Sequence, residues 1–113
     1  MLKAYNFTKK NEINSVSATP LQKVKGNILN VKGAAITIRP DEETGEEKKV
    51  GLIAAEEGTF SSISGTAIKG LDGIIDYMMD LETDNNGEAV TVQVKINAAK
   101  SNAGREFITL ELV

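Results

Sequence analysis

Apolar and polar positions follow two different periods along this chain, and the switch between them falls near Ser64. Upstream, apolar residues recur at alternate positions or in short runs bounded by turn-forming residues, which is strand spacing. Over residues 21–31, Val24 and Ile28 share one face while Lys23, Lys25 and Asn27 take the other, predicting a first strand. Lys32-Gly33 permits a bend or bulge. The β-branched run over 34–39 predicts a second extended segment, which Pro40 ends. Residues 41–48, with Thr44-Gly45 inside, suit an exposed hairpin tip. Val50, Leu52, Ile53, Ala54 and Ala55 form the body of the next strand, Glu57-Gly58 a turn, and residues 59–63 a further short strand.

Beyond Ser64, Ala67, Ile68, Leu71, Ile74, Ile75, Met78 and Leu81 recur at three- and four-residue spacing, predicting one amphipathic helix that ends before Asp84-Asn85-Asn86-Gly87. Ser64 or Thr66 is placed to accept the free amides of its first turn. Gly70 and Gly73 weaken it, so packing must hold it in place. Tyr77 lies close to the apolar stripe and is expected to be buried. Asp72, Asp76 and Asp80 lie on the opposite face, which is read as solvated rather than as a metal or acid pair. Val90, Val92, Val94 and Ile96 then alternate strictly with Thr91, Gln93 and Lys95, and a polar loop over 97–104 leads into a last strand over 105–112 with Ile108, Leu110 and Leu112 on one face. Residues 1–19 show no sustained period and read as an arm, flexible or docked as a loose edge strand. Residues 20–113 read as a single domain. The order of elements, a run of strands, one helix and two closing strands, is that expected of a mainly β, five-stranded OB-like Greek-key barrel with the helix between its third and fourth strands, with an SH3-like barrel or a small α+β sandwich as the alternatives. Gly26 and Gly33 would relieve crowding where the first strand coils most.

Composition removes many chemistries. The 113 residues contain no cysteine and no histidine, which excludes disulfide scaffolds, zinc ribbons, cysteine nucleophiles and Ser-His catalysis. No nucleophile–base pair or phosphate-binding glycine loop can be assembled, so an enzyme is not expected, nor is a cofactor or a metal. The stretch 82–88 partly imitates a calcium loop, but its twelfth position is Gln93 and a strand follows, so an Asn-Gly turn is the better reading. No apolar run reaches the roughly 18 residues of a membrane span, and the first residues lack the apolar core of a signal peptide.

Charge changes the picture further. The net charge is −3, yet residues 1–39 hold seven basic residues against one acid, and residues 40–91 three basic residues against thirteen acids. A polyanion senses potential within about a Debye length, ~8 Å at physiological salt, so a basic face can bind within an acidic molecule.

The stretch Glu43-Thr44-Gly45-Glu46, the strand 50–55, Gly58-Thr59-Phe60, Ser64, the helix and the closing pair over 92–113 together resemble the small OB-fold single-stranded-DNA-binding proteins of tailed phages of Gram-positive bacteria. The resemblance covers roughly residues 22–113. It implies non-enzymatic, sequence-nonspecific binding of single-stranded DNA for phage replication or recombination, in the host bacterial cytoplasm. The acidic tail with which bacterial single-stranded-DNA-binding proteins recruit partners has no counterpart at Glu111-Leu112-Val113, so recruitment by that route is not expected. Replication or recombination proteins and a homo-oligomer stay open as partners.

Such binding needs cations for phosphates and uncovered rings for bases. Lys23, Lys25 and Lys32 on the wet face of the first strand, with Arg39, Lys100 and Arg105, are the expected phosphate contacts. Phe107 alternates out of phase with Ile108, Leu110 and Leu112 and is an expected base platform if those three face inward. Phe60 is a further platform or a core residue. Tyr5 and Phe7, interleaved with Lys3, Lys9 and Lys10, would suit an arm that wraps DNA. The competing function is a protein-interaction or assembly module that uses barrel edges and the N-terminal arm.

Overall fold

The computed structural model describes residues 1–113. Its organising element is β3 (Ile28–Pro40), thirteen residues long. The two extended segments expected on either side of Lys32-Gly33 are one continuous strand, with the expected bulge between Val31 and Gly33. One edge of β3 pairs along nearly its whole length with β4 (Glu47–Ala55), through a tip at 41–46 that is two residues shorter than the one expected over 41–48. The other edge is divided: β6 (Val92–Lys100) takes Ile28–Val31 and β1 (Lys3–Tyr5) takes Ala34–Ile36, both antiparallel. β5 (Gly58–Ser62) continues from β4, and β7 (Glu106–Leu112) from β6. A two-residue strand, β2 (Thr19–Pro20), runs parallel to β5, so the sheet is mixed, in the order β2-β5-β4-β3-β6-β7.

Helix α2 (Gly65–Asp84) connects β5 to β6 and packs into the concave face of this curled sheet. Ala67, Leu71, Ile74, Ile75 and Met78, all from the expected stripe, are buried against Leu29, Val31, Ile36, Ile53, Val94, Ile96 and Ile108. Fully burying each of the leucine, isoleucine and methionine side chains among them is worth about 1.5–3 kcal/mol. Gly51 keeps β4 close to the helix, where a Cβ would stand 3.1 Å from Leu71.

The architecture is mainly β and consistent with an OB-like barrel, but it differs in detail from the expectation. There are seven strands rather than five, and two α-helices rather than one, α1 (Lys9–Asn14) lying near the N-terminus. The edges of β5 and β7 do not pair with each other, so the curled sheet stays open on that side. The strand expected over 21–31 begins only at Ile28. Leu21–Val24 form a 3-10 turn that buries Leu21, and Gly26, at φ +85°, turns the chain into β3. The three-residue spacing of Leu21 and Val24 turns both toward the core in that geometry. Tyr77 is 44% exposed rather than buried, because it falls beside the stripe and not on it. Neither Ser64 nor Thr66 caps α2: the Thr66 hydroxyl donates instead to the carbonyl of Ile108 at 2.7 Å.

The first nineteen residues are tied into the molecule. Tyr5 is 4% exposed, and its hydroxyl accepts the Val90 amide at 3.0 Å. Burial pushes its phenol above the ordinary tyrosine range. Thr8 and Asn11 form a capping box that starts α1. Arg39 donates to the carbonyl and hydroxyl of buried Ser15. Lys3 bridges Asp72 and Asp76 on the outer face of α2, so two acids of the stripe read as solvated are paired.

β1 can lie where it does only because position 33 has no side chain. A Cβ there would stand 2.3 Å from the Asn6 carbonyl oxygen and 2.9 Å from that of Tyr5, both backbone atoms. Gly33→Ala is therefore expected to displace β1 and lower the melting temperature by about 5 °C or more, given overpacking costs of about 1–3 kcal/mol. Gly73→Ala, at a helical position with nothing within 4 Å, should instead raise stability by about 1 kcal/mol. Thermal melts of the two variants check both signs.

Candidate nucleic-acid interface

The open side of the sheet forms a cleft of about 600 Å³ between the end of β5, the first turn of α2 and the start of β7. Ser61, Ser62 and Ser64 give it a neutral, hydrogen-bonding wall, and Arg105 and Phe107 stand on the opposite side. Thr66 holds the two sides together through its bond to Ile108, which sets how far the sheet gapes. Ile108 is buried and Phe107 is half-buried along the cleft, so the strand phase is the one in which the phenyl ring stays outside the core.

A shallower depression adjoins the cleft at Glu106, which lines both. Lys25, Lys95 and Lys100 surround it. Register explains the convergence: Lys100 pairs with Glu106 across the β6–β7 hairpin, and the Gly26 amide donates to the Ile96 carbonyl at 2.6 Å, bringing Lys25 alongside β6. Glu106 accepts from Gln22 at 3.0 Å and pairs with Lys25 at 3.3 Å, and these two contacts, in that order, hold its carboxyl below the ordinary glutamate range.

Of the ten expected site residues, Arg105 and Phe107 line the cleft, and Lys25 and Lys100 line the depression that adjoins it at Glu106. Lys23 is exposed on the 3-10 turn, next to the cleft residue Gln22. Lys32 sits at the bulge, where its carbonyl accepts from Asn6, and Arg39 lies against Ser15 at the far end of β3; neither lines the cleft. Phe7 is half-buried between β1 and α1. Tyr5 and Phe60, at 4% and 5% exposure, are core residues, and no base can stack on a ring so covered. Tyr5 is there because β1 is a paired strand rather than a free arm, and Phe60 because it stands opposite Ile53 on the inward face of β5. The sequence reading missed Lys95, although its place in the alternation of β6, out of phase with Val94 and Ile96, was a signal. No group of three or more acidic side chains converges as a metal site, and no helix is long and apolar enough to cross a membrane.

Fold and cleft together define a small curled-sheet protein whose open side carries a groove with serines along one wall, an arginine on the other and one accessible ring. The chain belongs to the Phage Single-stranded DNA-binding protein family, phi29 type, whose model matches residues 3–113. The match takes in β1 and α1, and so extends well upstream of the resemblance seen in the sequence. No curated protein and no solved structure matches the chain.

Three carboxylates of the molecule titrate low, and of these only Glu106 borders the cleft. Besides Glu106, Asp41 is held below its ordinary range by Lys48 and by the amides of Glu43 and Thr44, and Glu57 by the backbone and side-chain N–H groups of Asn30 at 2.9 and 2.7 Å. A depressed carboxyl contributes stability above its unfolded value and loses it as pH falls through its folded value. The melting temperature should therefore be level above about pH 5 and fall steeply below about pH 4. Glu57→Gln should flatten part of that acid limb, as melts between about pH 3 and pH 7 would show.

Proposed function

We propose that the protein binds single-stranded DNA without sequence preference, with the strand laid in the cleft between β5 and β7, in phage replication or recombination. The observation that carries this reading is that Arg105 and a half-exposed Phe107 line the cleft while Lys25, Lys95 and Lys100 line the depression adjoining it at Glu106, in a chain whose net charge is negative. In this reading Lys25, Lys100, Arg105 and neighbouring Lys23 contact phosphates and release counterions. Phe107 stacks one base, worth about 1–3 kcal/mol and tolerant of base identity because every base has a π-face. The serine wall offers hydroxyls to the sugar–phosphate backbone. Such a surface grips an unpaired strand whose bases can turn inward, and a duplex, with its bases paired and stacked, cannot use the ring. Family membership supports the ligand, and the cleft supports where it lies. Against the alternative of an assembly module stands the N-terminal segment, which would supply its arm but pairs with β3 of its own chain.

Fluorescence anisotropy of labelled oligo-dT checks the reading. Binding should weaken with salt at a log–log slope of about −2 to −3, from three or four phosphate contacts at about 0.7 each. Duplex DNA should bind far more weakly. Phe107→Ala should reduce affinity by about 5- to 150-fold, and Lys23→Glu with Arg105→Glu should reduce it with little change in melting temperature. Glu106→Gln should strengthen binding by about 2- to 5-fold, since it removes the carboxylate that competes with phosphate for Lys25. Absence of single-strand binding at low salt would overturn the proposal.

A further inference from the structure

Residues 40–91 are the acidic part of the chain, and their only basic residues are Lys48, Lys49 and Lys69. All three line one depression of about 640 Å³ between β4 and α2. Lys48 and Lys49 reach it from the first residues of β4 and Lys69 from the first turns of α2, which the packing of Gly51 against Leu71 and Ile68 brings together. This depression shares Ile63 and Gly65 with the cleft between β5 and β7, so the two form one continuous surface with Ile63, 67% exposed, at the junction.

Local charge is more cationic than the surrounding sequence suggests. Asp72 also lines the depression, but Lys3 neutralises it from β1. Lys48 is held by Asp41, whereas Lys49 and Lys69 are exposed and have no carboxylate within 4 Å. Two ammonium groups without a counter-charge on one depression raise its local potential, and an anion bound there lowers it.

We infer that the Lys48–Lys49–Lys69 depression is a second phosphate-contact segment, so that a bound single strand leaves the cleft over Ile63 and Gly65 and continues between β4 and α2. This rests on the single-strand reading above and gives it a direction and a length. A strand that only fills the cleft would not reach Lys49 and Lys69, and a longer one would, within the range of about 4–16 nucleotides that single modules of this type cover.

The test compares oligo-dT of about six and about sixteen nucleotides on the wild type and on the double variant Lys49→Gln/Lys69→Gln. For the sixteen-mer the variant should bind about 10- to 25-fold more weakly near 0.1 M salt, with a log–log salt slope shallower by about 1.4, two contacts at about 0.7 each. The six-mer should bind both proteins alike. In the wild type, the sixteen-mer and not the six-mer should protect Lys49 and Lys69 from acetylation by an amine reagent, a readout that needs no variant. Unchanged affinity and slope for the sixteen-mer, or acetylation of both lysines in the saturated complex, would overturn the extension while Phe107→Ala still weakens binding. A wild type that binds neither oligonucleotide would remove the single-strand reading itself, and the extension with it.

Discussion

The backbone of β3 is shared by three neighbouring strands, and the constraint that makes this possible is the missing side chain at Gly33. Without a Cβ, the carbonyls of Tyr5 and Asn6 come against β3 closely enough for β1 to take over its edge where β6 leaves off. Tyr5 then enters the core, its hydroxyl satisfies the Val90 amide ahead of β6, and Lys3 is delivered to the acids of α2. One close approach therefore links the N-terminus, the central strand, the helix and the segment leading into β6.

The same curl that buries α2 leaves β5 and β7 apart. Closing the sheet there would pair the edges of both strands and remove the cleft. Instead, β2 covers part of the β5 edge, and Thr66 supplies a side-chain donor to the β7 carbonyl at Ile108. Backbone groups at the gap are thus partly satisfied without shutting it, and no buried side-chain polar atom lacks a partner. The gap gathers chemistry from distant parts of the chain: Gln22 and Lys25 from before β3, serines from the end of β5, and Arg105, Glu106 and Phe107 from the start of β7. Glu106 at the boundary keeps Lys25 oriented and lowers the local positive charge at the same time.

Local signals in the sequence carried a large share of the fold. The helix, the β6 alternation and the bulge at Gly33 follow from side-chain period and turn chemistry, although β4 already begins at Glu47 within the tip expected over 41–48, and β6 runs on to Lys100 through the first half of the loop expected over 97–104. Errors arose where two local readings compete or where a distant partner decides. Val24 and Ile28 against Lys23, Lys25 and Asn27 fit a strand by alternation, but Leu21 and Val24 fit a 3-10 turn equally well, and Gly26 settles it by its left-handed backbone. Tyr5 and Phe7 sit among lysines in a segment with no period, yet β1 needs only three residues to pair, too few to leave a signature. The polar surroundings of Tyr5 said nothing about burial, because a phenol can be apolar along its ring and still satisfy one amide at its tip.

By itself, the sequence determined the type and order of the main elements, the side of α2 that is buried, and the absence of cysteine and histidine chemistry, because each is written in residue identity or in spacing over a few positions. Only the tertiary structure decided which charges share a surface. Charge position in space depends on strand register and on the packing of α2 against β4, contacts between residues tens of positions apart, and for that reason lysines from the most acidic stretch of the chain stand together while Arg39, from the most basic one, stands elsewhere.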